Sequence, residues 1–138
     1  MSAIKGAKMI YIVLNITAIL AATLVSLCFG LLYYRLLDFR KSAGRASTVA
    51  TAFIAELWLA CILAGALILA PPQASLWTMS VGTAVIIWIG FVVPVIAATY
   101  QFRGMGWRLT ITDCTHWLGV MLIQTVVMRV VGLVPPPV

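Results

Sequence analysis

The sequence predicts an all-α polytopic membrane protein, a bundle of four transmembrane helices built from two helical hairpins, on three observations. Of 138 residues, 64% are hydrophobic and 9% charged, whereas soluble domains run to roughly 45–50% apolar and 25% charged. Mean hydropathy is +1.14. The apolar residues lie in four runs, at 9–34, 48–70, 76–100 and 109–134, and each exceeds the about 20 residues that cross a bilayer as a helix. Residues 1–138 therefore read as a single membrane domain with short connections, leaving no room for a soluble one.

Lys5 and Lys8 precede the first run in the manner of a signal peptide. A signal peptide's apolar region has only about 7–15 residues before its cleavage site, so 9–34 is expected to be a retained span. The second run stops at Pro71 and Pro72, which cannot continue a helix and mark a tight turn. In the third, Pro94 removes the hydrogen bond to the Gly90 carbonyl, so a kink is expected between Gly90 and Pro94. The fourth ends before Pro135, Pro136 and Pro137. Unbroken apolarity within each run excludes the alternation of a membrane β-barrel.

The net charge of +6 would suggest nucleic acid in a soluble chain. Here the basic residues sit between the apolar runs, where the positive-inside rule explains them, and no nucleic-acid partner is expected. Arg35, Arg40, Lys41, Arg45, Arg103 and Arg108 lie in the first and third connections, against Lys5, Lys8 and the intramembrane Arg129 toward the other side. That count puts the two basic loops in the cytoplasm and both termini outside. Cys28, Cys61 and Cys114 fall inside apolar runs without disulfide or zinc spacing and read as small buried apolar residues.

Ala18, Ala22, Ser26 and Gly30 recur every four residues, a ridge of small side chains that lets another helix approach closely. Ala52, Glu56, Ala60 and Ala64 repeat it on the second span, which places that span's only acid on a helix-contacting face, inside the bundle or at a subunit contact. At about 1.5 Å per residue, Glu56 lies roughly 13–15 Å deep. An ionised carboxylate there costs about 2.5–3.5 kcal/mol or more, so it must be paired, hydrated or protonated. Two readings stay open, a proton-carrying or cation-binding acid and a protonated acid that hydrogen-bonds between helices.

Asp113 and His116 are three apart early in the fourth span and share a side, within about a turn of the depth of Glu56. The three form a candidate intramembrane polar site able to relay protons. A metal would need a fourth ligand, and no metal or cofactor is expected. The simpler expectation is that Asp113 sits at the positive end of its helix and pairs with Arg103 or Arg108, leaving His116 a buried polar bridge. Asn15 and Gln124, at similar counted depths, are expected to hydrogen-bond across helices. Trp77 and Trp107 read as interfacial anchors; Trp58, Trp88 and Trp117 read as packing groups. Tyr34-Arg35 faintly matches Tyr100-Gln101-Phe102-Arg103, which leaves an internal repeat open.

No Walker loop, dinucleotide fingerprint, GxSxG elbow or CxxC pair is present, and no enzymatic activity is expected. The stretch Trp88-Ile-Gly-Phe91, with Pro94, Phe102, Trp107-Arg108-Leu109, 113–118, Asn15 and Gly30-Leu-Leu-Tyr33, resembles the domain-of-unknown-function family numbered 1761. The resemblance covers most of the chain and implies a small four-helix membrane protein of the bacterial cytoplasmic membrane. It implies no activity and no catalytic residue; its pattern more often has an aromatic residue where His116 stands. Two functions follow. One is a non-enzymatic bundle working by packing, as a homo-oligomer or a subunit of a larger membrane complex in the lipid bilayer. The other is a small proton- or cation-coupled transporter or channel using Glu56 with Asp113 and His116.

Overall fold

The computed structural model describes residues 10–37 and 44–137. The described residues form helices, with no strand. Helix α1 (Ile10–Leu14) runs into α2 (Ile16–Leu36) through a one-residue break at Asn15; α3 (Ala46–Leu69), α4 (Leu76–Ile87), a π-helical turn (Trp88–Val92), α5 (Val93–Phe102) and α6 (Gly106–Val131) follow. Four helical segments are long and apolar enough to cross a membrane: Ile16–Leu36, Ala46–Leu69, Leu76–Phe102 and Gly106–Val131. The basic residues Lys5, Lys8, Arg40 and Lys41 of the orientation count lie outside the described residues.

The helix ends follow from local chemistry. Ala70, extended before Pro71, terminates α3. The Ser75 side chain caps α4 by accepting from the Thr78 backbone N–H. After α5 the chain closes a Schellman turn: the Gly104 N–H donates to the Gln101 carbonyl and the Met105 N–H to the Tyr100 carbonyl. That turn needs Gly104 at φ +66°, a backbone conformation that residues with a side chain rarely adopt. The last span begins three residues earlier than the apolar run and ends at Val131, not 134, because Gly132 at φ +97° turns the chain out of the helix.

The region around Gly90 and Pro94 does not follow a plain α-helix. Proline has no N–H to give, and the ladder here shifts register: the Val93 N–H donates to the Trp88 carbonyl, five residues back. A π-turn is one of the ways a helix absorbs such a break. The Trp88 indole N–H then reaches the Cys114 carbonyl and fixes this turn against α6.

Packing centres on α6, which touches all three other spans, while the first and last spans make the most extensive contact. Ala18, Ala22, Ser26 and Gly30 are buried along α2, and Ala60 and Ala64 along α3; Ala52 is half-buried. Small side chains bring the helices close enough for Ile19, Leu63, Leu67, Met121 and Met128 to fill the core. Only 6% of the third span is buried, against 39% of the first and of the last, so it lies at the edge of the bundle. Trp58 and Cys28 are exposed, contrary to the sequence reading. Each is two residues, about 200°, around its helix from the inward-facing Glu56 or Ser26, and so points away from the core.

Candidate functional site

Between α2, α3 and the start of α6, at the end of the bundle that carries the basic connections, lies a cavity of about 360 Å³. Glu56, Asp113 and His116 all line it, among the apolar side chains of Leu27, Leu31 and Leu109. Gly30 makes the shared wall possible. A Cβ at that position would stand 2.8 Å from His116 Nε2 and 3.5 Å from Glu56 Oε1.

Glu56 is 1% exposed. Its Oε2 is 2.5 Å from the Ser26 hydroxyl, which also lies 3.1 Å from the Thr23 carbonyl. A serine hydroxyl has one proton and two lone pairs. It therefore has two arrangements here. With Glu56 ionised, Ser26 donates to the carboxylate; with Glu56 protonated, the carboxyl donates to Ser26, whose own proton turns to Thr23. Neither state needs a new partner. Gln124 locks the layer from α6, donating from Nε2 to Ser26 Oγ at 3.1 Å and to the Glu56 carbonyl at 3.0 Å.

Asp113 is held by hydroxyls. Tyr34 of α2 donates to Oδ1 at 2.7 Å and Tyr100 of α5 to Oδ2 at 2.5 Å, tying three spans together. The sequence expectation of an ion pair with Arg103 or Arg108 is not met: both arginines are exposed at the end of the bundle, while the two tyrosines lie within the last turns of their helices.

His116 is 5% exposed, and neither ring nitrogen has a hydrogen-bond partner among the described residues. It is not the polar bridge the sequence suggested. Aromatic rings enclose it instead: Phe29 stacks parallel at 6.1 Å, and Tyr34, Trp117 and Tyr33 lie at 4.6, 5.4 and 5.5 Å. Buried polar groups without a partner cost about 1–3 kcal/mol each. An imidazole kept in that condition on a cavity wall is able to bind a proton, or a ligand, that enters the cavity. Among the described residues no group of three His, Cys, Asp or Glu side chains is arranged to hold a metal ion.

Asn15 and Gln124 do not meet. Gln124 stands at the level of Ser26 in mid-span, while Asn15 clamps the C-terminal tail, donating to the Val134 carbonyl at 2.8 Å and accepting from its N–H at 2.7 Å. Ser26 was legible as a packing residue but not as the partner of Glu56, and the aromatic box around His116 carried no motif. Tyr34 and Tyr100 did leave a trace, as the matching tyrosines of the faint repeat.

A family model described as "Protein of unknown function (DUF1761)" matches residues 17–129, which includes every residue of the cavity wall. No curated protein and no solved structure matches the chain.

Proposed function

The chain belongs to the DUF1761 family; we propose that it is a non-enzymatic, multi-pass protein of the bacterial cytoplasmic membrane whose working part is a proton-binding site of Glu56, Asp113 and His116. The observation that carries this reading is the unpartnered His116 sharing one cavity with two acids in the interior of an apolar bundle. Ionisable side chains inside a membrane segment are costly and mark proton relays and ion sites by default. The Ser26 hydroxyl, poised between Glu56 and the Thr23 carbonyl, supports proton exchange without rearrangement of the helices. The π-turn ahead of Pro94, on the least buried span, is the element best suited to move during a transport cycle.

The test is flux in proteoliposomes with a trapped pH dye. Wild-type protein is expected to dissipate an imposed proton gradient, and Glu56→Gln to abolish that flux while leaving the fold intact. Undiminished flux in a folded Glu56→Gln protein would contradict the proposal.

A second reading, an accessory or homo-oligomeric subunit, is favoured by the third span, whose outward Ile86, Phe91, Val95 and Phe102 are left largely exposed by the described residues. Lipid satisfies such a face equally well. Purification in mild detergent separates the two: a stoichiometric partner, or a homo-oligomer that dissociates on Phe91→Glu substitution, is the outcome this reading expects. Both termini are proposed to lie outside, supported by Arg35, Arg45, Arg103 and Arg108 at the cavity end. Cysteine labelling at position 45 from the cytoplasmic side only is the expected result.

A further inference from the structure

At the opposite end, beside the turn at Pro71 and Pro72, a second cavity of about 340 Å³ opens between α3, α4 and α6 and is lined by Arg129. Arg129 is the one charged side chain of the described residues at this end. It does not trail freely toward water. Its Nε donates to Ser80 Oγ at 2.6 Å, and its Nη2 to the Leu67 carbonyl at 2.9 Å. Ser80 is fully buried and is itself fixed by donating to the Leu76 carbonyl. Leu67 lies in the last turn of α3, where carbonyls lack helical partners, so the guanidinium also caps that helix.

Those contacts orient the guanidinium without neutralising it. Of its five N–H groups, two are used, both on neutral oxygens. The chain has three acids. Glu56 is bound to Ser26 and Asp113 to the two tyrosines at the other end, and Asp38 lies outside the described residues. A fixed cation with three remaining donors thus lines an open cavity with Pro71, Pro72, Ala74, Met79 and Leu133, and no acidic side chain of the described residues stands beside it.

We propose that this cavity is a second ligand site, in which Arg129 clamps a phosphate-class anion. A planar guanidinium fork matches phosphate oxygens in two-point contact, and apolar walls suit the glycerol and acyl portion of a phospholipid. The two sources of that chemistry, a lipid headgroup and free phosphate, are separable. The site is independent of the Glu56 cavity.

The full chain in mild detergent is examined by native mass spectrometry and thermal unfolding with dioleoyl-phosphatidylglycerol, with inorganic phosphate, or with dioleoylglycerol, which lacks the phosphate. The expected result is a retained phosphatidylglycerol adduct and a raised Tm, with no effect of dioleoylglycerol. Saturable stabilisation by inorganic phosphate alone would identify a free anion as the occupant. Arg129→Gln is expected to weaken the effective probe at least fivefold. Ala74→Trp fills the cavity mouth without touching the Arg129 hydrogen bonds, and serves where Arg129→Gln does not fold; it is expected to do the same. Glu56→Gln is expected to leave binding unchanged. Binding of neither phosphate probe, or equal binding by the Arg129→Gln or Ala74→Trp variant, overturns the proposal.

Discussion

Two cavities of nearly equal size, about 360 and 340 Å³, sit at opposite ends of the same four-helix bundle and differ in how their polar groups are held. At the proline end every hydrogen bond fastens something: Asn15 pairs with both backbone groups of Val134, and Arg129 caps α3 through the Leu67 carbonyl. At the basic end two ionisable groups have capacity to spare. His116 makes no hydrogen bond among the described residues, and Glu56 is tied through one oxygen to a hydroxyl with a second acceptor in reach. Burial among apolar helices therefore does not by itself fix a polar residue's role. At the proline end Asn15 and Arg129 are fastened by hydrogen bonds, whereas at the basic end the His116 imidazole is held beside a cavity without one among the described residues, at a cost to stability.

Substitutions at either end test this contrast. The largest expected effect is at Gly30. Gly30→Leu drives a side chain into His116 and Glu56 and should destabilise the bundle by about 1–3 kcal/mol, the usual cost of overpacking, measured by denaturation in mixed micelles. Next is His116→Phe, which replaces an unsatisfied imidazole by a ring that suits its aromatic box. It should raise stability by about 1–2 kcal/mol, the cost of an unmet polar group being removed, while abolishing flux. A destabilised His116→Phe would mean that the imidazole is structural, and the contrast between the two ends would fail.

Smaller effects test the fastened groups. Tyr34→Phe and Tyr100→Phe each remove one hydroxyl from Asp113 and should cost about 0.6–1.7 kcal/mol, the range of interhelical hydrogen bonds in membranes. Asn15→Ala should cost about as little globally, yet specifically deprotect the Val134 amide in hydrogen exchange. Unchanged protection there would show that the tail is held by something else.

The fold was legible because its signals are long and redundant. Four apolar runs with proline or charged ends leave helices as the only element, and the four-residue ridge Ala18, Ala22, Ser26, Gly30 already identifies the inward face of the first span. Sidedness around a helix is thus readable from spacing. Partner choice across helices is not, since it depends on vertical offset and rotation that the linear chain does not encode. Counting residues put Asn15 level with Gln124, but the tail after Gly132 folds back over Asn15, and Gln124 meets Ser26 in mid-span. The same limit explains Asp113, for which the nearby arginines were conspicuous in sequence and the two tyrosines, from spans one and three, were not. Glu56, Asp113 and His116 stood out as rare polar residues in apolar runs; the single cavity that they share depends on the missing side chain of Gly30, a property of the packed helices.

Proton binding at the basic-end cavity is the property on which the proposed function depends. His116 is the only histidine of the chain, so ring-¹⁵N histidine labelling reports one site. The measurement is its nitrogen shifts across a pH series in membrane-mimetic discs, in wild type and in Glu56→Gln. The account predicts that the imidazole resonances move with pH in the wild type and that Glu56→Gln displaces the transition. Imidazole shifts that stay constant across the accessible pH range, or that titrate identically in both proteins, would contradict it.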